Sequence, residues 1–221
     1  AEVFPLSTLF EKMGGFGFGV LGNFELGFSL TNVNIQLPNG TTDTQQVVST
    51  DREWGAQLAT RWFFSIGDWK YRGVGYIGIR GGLGGQTFEI DANANVPLPG
   101  PDRFFGQLGV DVYFAPVKFV GLAISGTYFI NPTPGATVTL GYGDLNDPTG
   151  GAAATGFGLE FGLKGEVIGP LGYEFSLRYR SFGDTYFGQG KKWTTPCNPG
   201  PCGGVDQESY TKLYWGLTAG F

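Results

Sequence analysis

Large apolar residues recur at every second position through eight stretches of this chain, a period that belongs to strands whose two faces meet different surroundings. In the first stretch Phe16, Phe18, Val20, Gly22, Phe24, Leu26, Phe28 and Leu30 alternate with Gly17, Gly19, Asn23, Glu25, Gly27 and Ser29. The second sets Trp54, Leu58, Trp62, Phe64 and Ile66 against Gln57, Ala59, Arg61 and Ser65. In the third, Tyr71, Ile77, Ile79 and Leu83 oppose Arg72, Gly78 and Arg80, with Val74 and Tyr76 blurring the pattern. The fourth opposes Phe104, Leu108, Val110, Val112 and Phe114 to Gln107, Gly109, Asp111 and Tyr113. Three more follow, led by Val120–Leu122–Ile124, Phe157–Leu159–Phe161 and Tyr173–Phe175–Leu177. The last alternates Leu213, Trp215, Leu217, Ala219 and Phe221 with Lys212, Tyr214, Gly216, Thr218 and Gly220.

The connections alternate too. Short turns around Gly67-Asp68, Pro116-Val117 and Gly169-Pro170 join the second and third, fourth and fifth, and sixth and seventh stretches. The other links are long and polar, at about 31–53, 86–103, 131–155 and 182–209. Such a meander predicts an all-β protein: an eight-stranded antiparallel up-and-down β-barrel, trimmed at one end and elaborated at the other. No charge run or linker divides the 221 residues, so 1–221 reads as one domain with an N-terminal segment over 1–13.

Packing decides which face turns inward. About 38 large apolar side chains lie on the apolar face, whereas the interior of an eight-stranded barrel is only just wide enough to be filled by side chains. The opposite face, dominated by Gly, Ser and Ala with charges of both signs, suits a crowded interior. The barrel is therefore expected to be transmembrane, with its apolar face toward lipid. Only 15% of residues are charged, below the roughly 25% of ordinary soluble domains. The longest uncharged run, Phe119 to Gly143, contains Pro132, Pro134 and five glycines, so it is not a spanning helix. A net charge of -5 argues against a nucleic-acid partner.

Eight alternating strands, three short turns, four long loops and a last stretch ending in Phe221 resemble the small outer-membrane β-barrels of Gram-negative-type bacteria. The likeness is to the eight-stranded class that includes outer membrane protein X and the barrel of outer membrane protein A, with Thermus-type outer-membrane barrels as a more particular comparison. It covers about Gly14 to Phe221 as architecture and only the final strand as motif. The resemblance implies outer-membrane lipid as the surroundings, short turns toward the periplasm and long loops outside the cell. It further implies that the strand ending in Phe221 is read by the barrel assembly machinery. That strand is expected to pair with the first and close the ring, since an unpaired edge in hydrocarbon costs several kcal/mol per backbone group. Trp69, Tyr71, Phe119, Tyr173 and Phe221 would then join an aromatic girdle near the short turns. Ala1 fits the first residue left by removal of a secretory signal.

By the same parity Glu25, Arg61, Arg80, Asp111, Glu160, Lys164, Arg178 and Arg180 point inward, together with Glu166, Glu174 and Lys212. Charges enclosed without free water must be paired, so these residues are expected to plug the interior as a mixed-sign network. A narrow channel for small or hydrophobic solutes is the alternative. The chain has no His, which excludes a Ser-His-Asp triad and a His-metal site. The family's enzymes rely on His, so a non-enzyme is expected and no cofactor is required.

Cys197 and Cys202 lie in "PCNPGPCGG" within the longest link. Two Cys without His leave zinc short of ligands, and a disulfide across the segment is expected. Asp144, Asn146 and Asp147 offer hard oxygen ligands suited to Ca²⁺ or Mg²⁺, as do Asp91, Asn93 and Asn95. Asx-rich turns also arise for backbone reasons alone. Asn39-Gly40 between Val33, Ile35, Leu37 and Val47-Val48 reads as a hairpin tip. "ATVTLGYG" and "KKWTT" also read as strand. The strands are thus expected to run on into a protruding sheet whose edge offers a place for an extracellular protein partner. Thr8 and Glu11 form a weak capping box for a short N-terminal helix.

Overall fold

A computed structural model describes residues 2–3, 15–36, 42–66, 73–90, 100–117, 119–136, 138, 154–168, 171–187 and 203–219. The elements are β1 (Glu2–Val3), β2 (Phe16–Gln36), β3 (Thr42–Ile66), β4 (Gly73–Ile90), β5 (Asp102–Val117), β6 (Val120–Thr133), β7 (Ala154–Ile168), β8 (Leu171–Phe187) and β9 (Gly203–Ala219). All lie in one curled antiparallel sheet, each strand bonded to the next in chain order. The eight long strands make it an all-β, barrel-like fold.

Alternation translates directly into two faces. On β5, Phe104, Leu108, Val110, Val112 and Phe114 are exposed, while Arg103, Gln107 and Asp111 between them are buried. The same holds on β2, where Phe16, Phe18, Val20, Phe24 and Leu26 face out. Among the described residues the only large apolar side chains buried are Leu21, Phe105, Phe129, Val138 and Phe182. A water-soluble domain has the opposite arrangement, with charges outside and apolar groups within.

The strands outrun the alternating stretches. β2 and β3 stay paired from Phe16↔Trp62 to Gln36↔Thr42, well into the 31–53 segment. The next pair, β3 with β4, reaches only Ser49↔Ile90. Beyond that point, among the described residues, β2 and β3 pair only with each other; Leu37 and the Asn39-Gly40 tip lie outside the described residues. "ATVTLGYG" is not continuous strand: β6 ends at Thr133, and Ala136 and Val138, the described residues of that run, are not in strand. Gly135 adopts φ 87°, and a Cβ there would meet the Asp102 carbonyl oxygen at 2.8 Å, so the chain turns where only glycine fits. "KKWTT", Thr8 and Glu11 lie outside the described residues.

Closure also differs from expectation. Among the described residues β9 pairs only with β8, and the outer edge of β2 is met by β1 through Glu2↔Leu21 and Val3↔Val20. One backbone edge cannot serve two strands, so β1 stands where the terminal strand was expected. Side chains bridge the ends of the sheet instead: Tyr214 Oη donates to Glu25 Oε2 at 2.6 Å. The outward residues beside this junction, Phe24 on β2 and Trp215 on β9, are 74% and 83% exposed.

Glycine shapes the concave face at two places. A Cβ on Gly84 would come within 2.7 Å of the Phe105 ring, and one on Gly156 within 2.6 Å of the Phe182 ring. These absent side chains make room for aromatic ones. Gly156→Val is expected to lower stability by about 1–3 kcal/mol through overpacking; denaturant unfolding in detergent reads the change, and an unaltered midpoint would contradict the packing.

Candidate functional site

The concave side is a stack of layers, set by the rows of inward residues that antiparallel pairing brings into register. At the end carrying the long connections, Phe105, Phe129 and Phe182 form a buried cluster with ring centroids 4.7, 5.1 and 6.1 Å apart. Tyr210 packs against it, 6.1 Å from Phe182. Arg103 lies over the Phe182 ring at 4.7 Å and Arg180 over Phe129 at 5.2 Å, so cations contact ring faces in this layer.

Arg103 and Asp184 form a fully buried bidentate pair, with Nη1 to Oδ1 at 3.1 Å and Nη2 to Oδ2 at 2.6 Å. Arg103 Nη1 also donates to the Pro132 carbonyl at 2.6 Å. Local sequence explains that bond. Pro132 has no N–H for the ladder, and the β5–β6 register slips between Phe104↔Thr133 and Gly106↔Ile130, with Asn131 at φ 48°. Asn tolerates this left-handed conformation, and the bulge leaves a carbonyl for the guanidinium.

The predicted interior residues come together in two groups. Arg80 Nε donates to Asp111 Oδ1 at 2.8 Å, and its terminal nitrogens reach Gln57 at 3.0 Å and Thr127 at 2.7 Å. Arg61 stands 3.8 Å from the other Asp111 oxygen and covers the Tyr76 ring at 4.3 Å. In the second group Arg178 meets Glu25 at 2.8 Å, Glu160 at 3.1 Å and Glu53 at 3.5 Å. Arg180 bonds Glu53, while Lys212 contacts Asp51 and Glu53. Lys164 pairs with Glu174 at 2.8 Å nearer the short turns.

Sequence reasoning missed Asp51, Glu53, Arg103 and Asp184, which it assigned to polar links. The signal was present: Asp51 and Glu53 share the parity of Gln57 and Arg61, Arg103 that of Gln107 and Asp111, and Asp184 that of Arg178 and Arg180. Tyr76, which blurred its stretch, faces inward, stacks on Tyr113 at 5.4 Å and meets Phe63 at 5.6 Å. Of the expected aromatic girdle, Phe119 is exposed and Tyr173 Oη donates to its carbonyl at 2.9 Å. Trp69, Tyr71 and Phe221 lie outside the described residues, as do Cys197, Cys202, Asp144, Asn146 and Asp147. Among the described residues no cluster of His, Cys, Asp and Glu is arranged to hold a metal ion.

Between the aromatic layer and the short-turn end lies a cavity of about 590 Å³, lined by Arg61, Arg80 and Asp111 of the first group and by Glu53, Glu160, Arg178 and Arg180 of the second. Small residues open it, among them Ala123, Ser125 and Gly158. Its most exposed ion pair is Lys164–Glu174, with side chains 35% and 28% accessible.

No family model, curated protein or solved structure matches this chain.

The Arg103–Asp184 pair gives a direct test of how dry the aromatic layer is. Asp184→Leu alone is expected to cost about 3–5 kcal/mol, because it strands a buried guanidinium, and R103M/D184L should recover most of that loss. Unfolding midpoints of the two variants decide it; equal losses would contradict a dry layer.

Proposed function

We propose that this protein is an integral β-barrel of the bacterial outer membrane, serving envelope structure or surface binding through its long-connection end. One observation carries the reading: away from the long-connection end, where Arg52, Glu89 and Asp102 are exposed, large apolar side chains face outward on each of the eight long strands, while most ionic groups converge on the concave side. Only a surrounding of hydrocarbon stabilises that inversion, since apolar area in water costs about 25 cal/mol per Å².

Strand length agrees. A crossing needs about 9–11 tilted residues, and β6, the shortest of the eight long strands, has 14. The 21 and 25 residues of β2 and β3 leave a paired arm standing beyond the bilayer. Its backbone edges offer hydrogen bonds to a strand of an extracellular protein, which is the mode of surface binding proposed. β1 covers the β2 edge at Val20 and Leu21, and farther along that edge the Tyr214–Glu25 bond ties β9 to β2.

The interior cavity favours a second reading, a channel for small solutes. The aromatic layer opposes it, because Phe105, Phe129 and Phe182 occupy the passage above the cavity. Catalysis is not proposed: the chain has no His, and the interior carboxylates Glu25, Glu53 and Glu160 are engaged in ion pairs.

Two measurements test this reading. Leu122→Arg, on the outward face, should lower stability in lipid vesicles by about 2–4 kcal/mol, as expected for a cation at the bilayer midplane; a neutral effect would sink the membrane assignment. Purified protein in planar bilayers should show no single-channel steps. Reproducible steps would overturn the closed interior.

A further inference from the structure

Every charged side chain that lines the cavity is already engaged in an ion pair. Arg61 and Arg80 meet Asp111, Arg178 meets Glu53 and Glu160, Arg180 meets Glu53, and Lys164 meets Glu174. What the lining still offers is neutral hydrogen bonding, and Arg80 arranges it. Its guanidinium donates to Gln57 Oε1 at 3.0 Å, to Thr127 Oγ1 at 2.7 Å and to Ser125 Oγ at 3.4 Å. Each of these groups accepts from Arg80 and keeps a donor of its own, the Gln57 amide N–H or a hydroxyl hydrogen, with no partner among the described residues. An acceptor stands next to them. Strand pairing sets Ser125 opposite Glu160, whose Oε2 takes Arg178 Nε at 3.1 Å, with no hydrogen bond to its Oε1 among the described residues.

We propose that the cavity binds a small uncharged polyol, about the size of a monosaccharide, whose adjacent hydroxyls accept from Gln57, Ser125 and Thr127 and donate to Glu160. The lining selects against ions: its charges are already paired, so an entering charge lacks a counter-charge in a poorly solvated space. It also selects against an apolar occupant, which would bury those donors and that carboxylate oxygen without partners. A hydroxyl is neutral and both donates and accepts, so a row of them meets both kinds of group at once. Water does so one molecule at a time, each at its own cost in immobilisation, whereas a polyol replaces several waters in one binding event.

The cavity suits such an occupant in size and shape. Its volume of about 590 Å³ falls in the range of small-molecule pockets, roughly 300–1,000 Å³. It reaches the aromatic layer, since Gly158 lines it and a Cβ there would stand 3.4 Å from the Phe129 ring. That layer closes the long-connection end, so an occupant is held rather than passed on. Lys164 and Glu174, the most exposed ion pair of the lining, place the entrance toward the short turns.

The test is saturation-transfer NMR on the full chain in micelles of lauryldimethylamine oxide, a detergent without a sugar head, with D-glucose and myo-inositol as probes. At least one probe is expected to bind in the millimolar range. An excess of about ten-fold of gluconate, which adds a charge to the hydroxyls, or of cyclohexanol, which carries a single hydroxyl, should leave the probe signal in place. Ser125→Ala should weaken binding about five-fold, the loss of one hydrogen bond, with folding checked by far-ultraviolet circular dichroism. Ala123→Phe fills the cavity without removing a hydrogen-bonding group and should abolish binding while the β-sheet signal is kept. The proposal fails if neither probe receives magnetisation from the protein, if either competitor displaces the bound probe, or if Ser125→Ala or Ala123→Phe binds as tightly as the unaltered chain. The readout requires no bilayer, so its failure is separable from failure of the membrane assignment.

Discussion

Ion pairing on the concave face is the constraint on which the rest of this structure depends. Outward apolar side chains are cheap in hydrocarbon, and backbone groups are satisfied by strand pairing, but enclosed charges have neither remedy. They are stable only where each is met by an opposite charge or a hydrogen-bond donor at close range. Arg178 illustrates the economy: its guanidinium contacts Glu25 from β2, Glu53 from β3 and Glu160 from β7, tying strands far apart in sequence. The curl of the sheet is what makes these contacts reachable.

The interior also shows how small residues and large ones divide the work. Gly84 and Gly156 lie against ring faces and permit the Phe105–Phe129–Phe182 layer, whereas Ala123, Ser125 and Gly158 leave space open. One set of absent side chains seals the long-connection end, and the other creates the cavity.

Much of this was legible in the sequence. Period two fixes which residues share a face, and Glu25, Arg61, Arg80, Asp111, Glu160, Lys164, Arg178 and Arg180 all take part in ion pairs between strands. What escaped has physical causes. Asp51, Glu53, Arg103 and Asp184 sit among polar neighbours that resemble loop, because outward residues beside them, such as Arg52 and Asp102, are charged as well. Phe105, Phe129 and Phe182 were invisible because an aromatic on the inner face looks, in sequence, like noise in the alternation. The seam depends on which strand reaches the β2 edge, a long-range matter that no local pattern encodes.

Spin-label accessibility tests the central claim most directly. Nitroxides placed singly at Val110, Leu122 and Leu177, with the protein in lipid vesicles, would be relaxed by oxygen and by a polar nickel chelate in turn. Collisions dominated by oxygen at all three positions, with little nickel contact, are predicted for side chains bathed in acyl chains. Strong relaxation by the nickel chelate at these sites would place them in water and contradict the account.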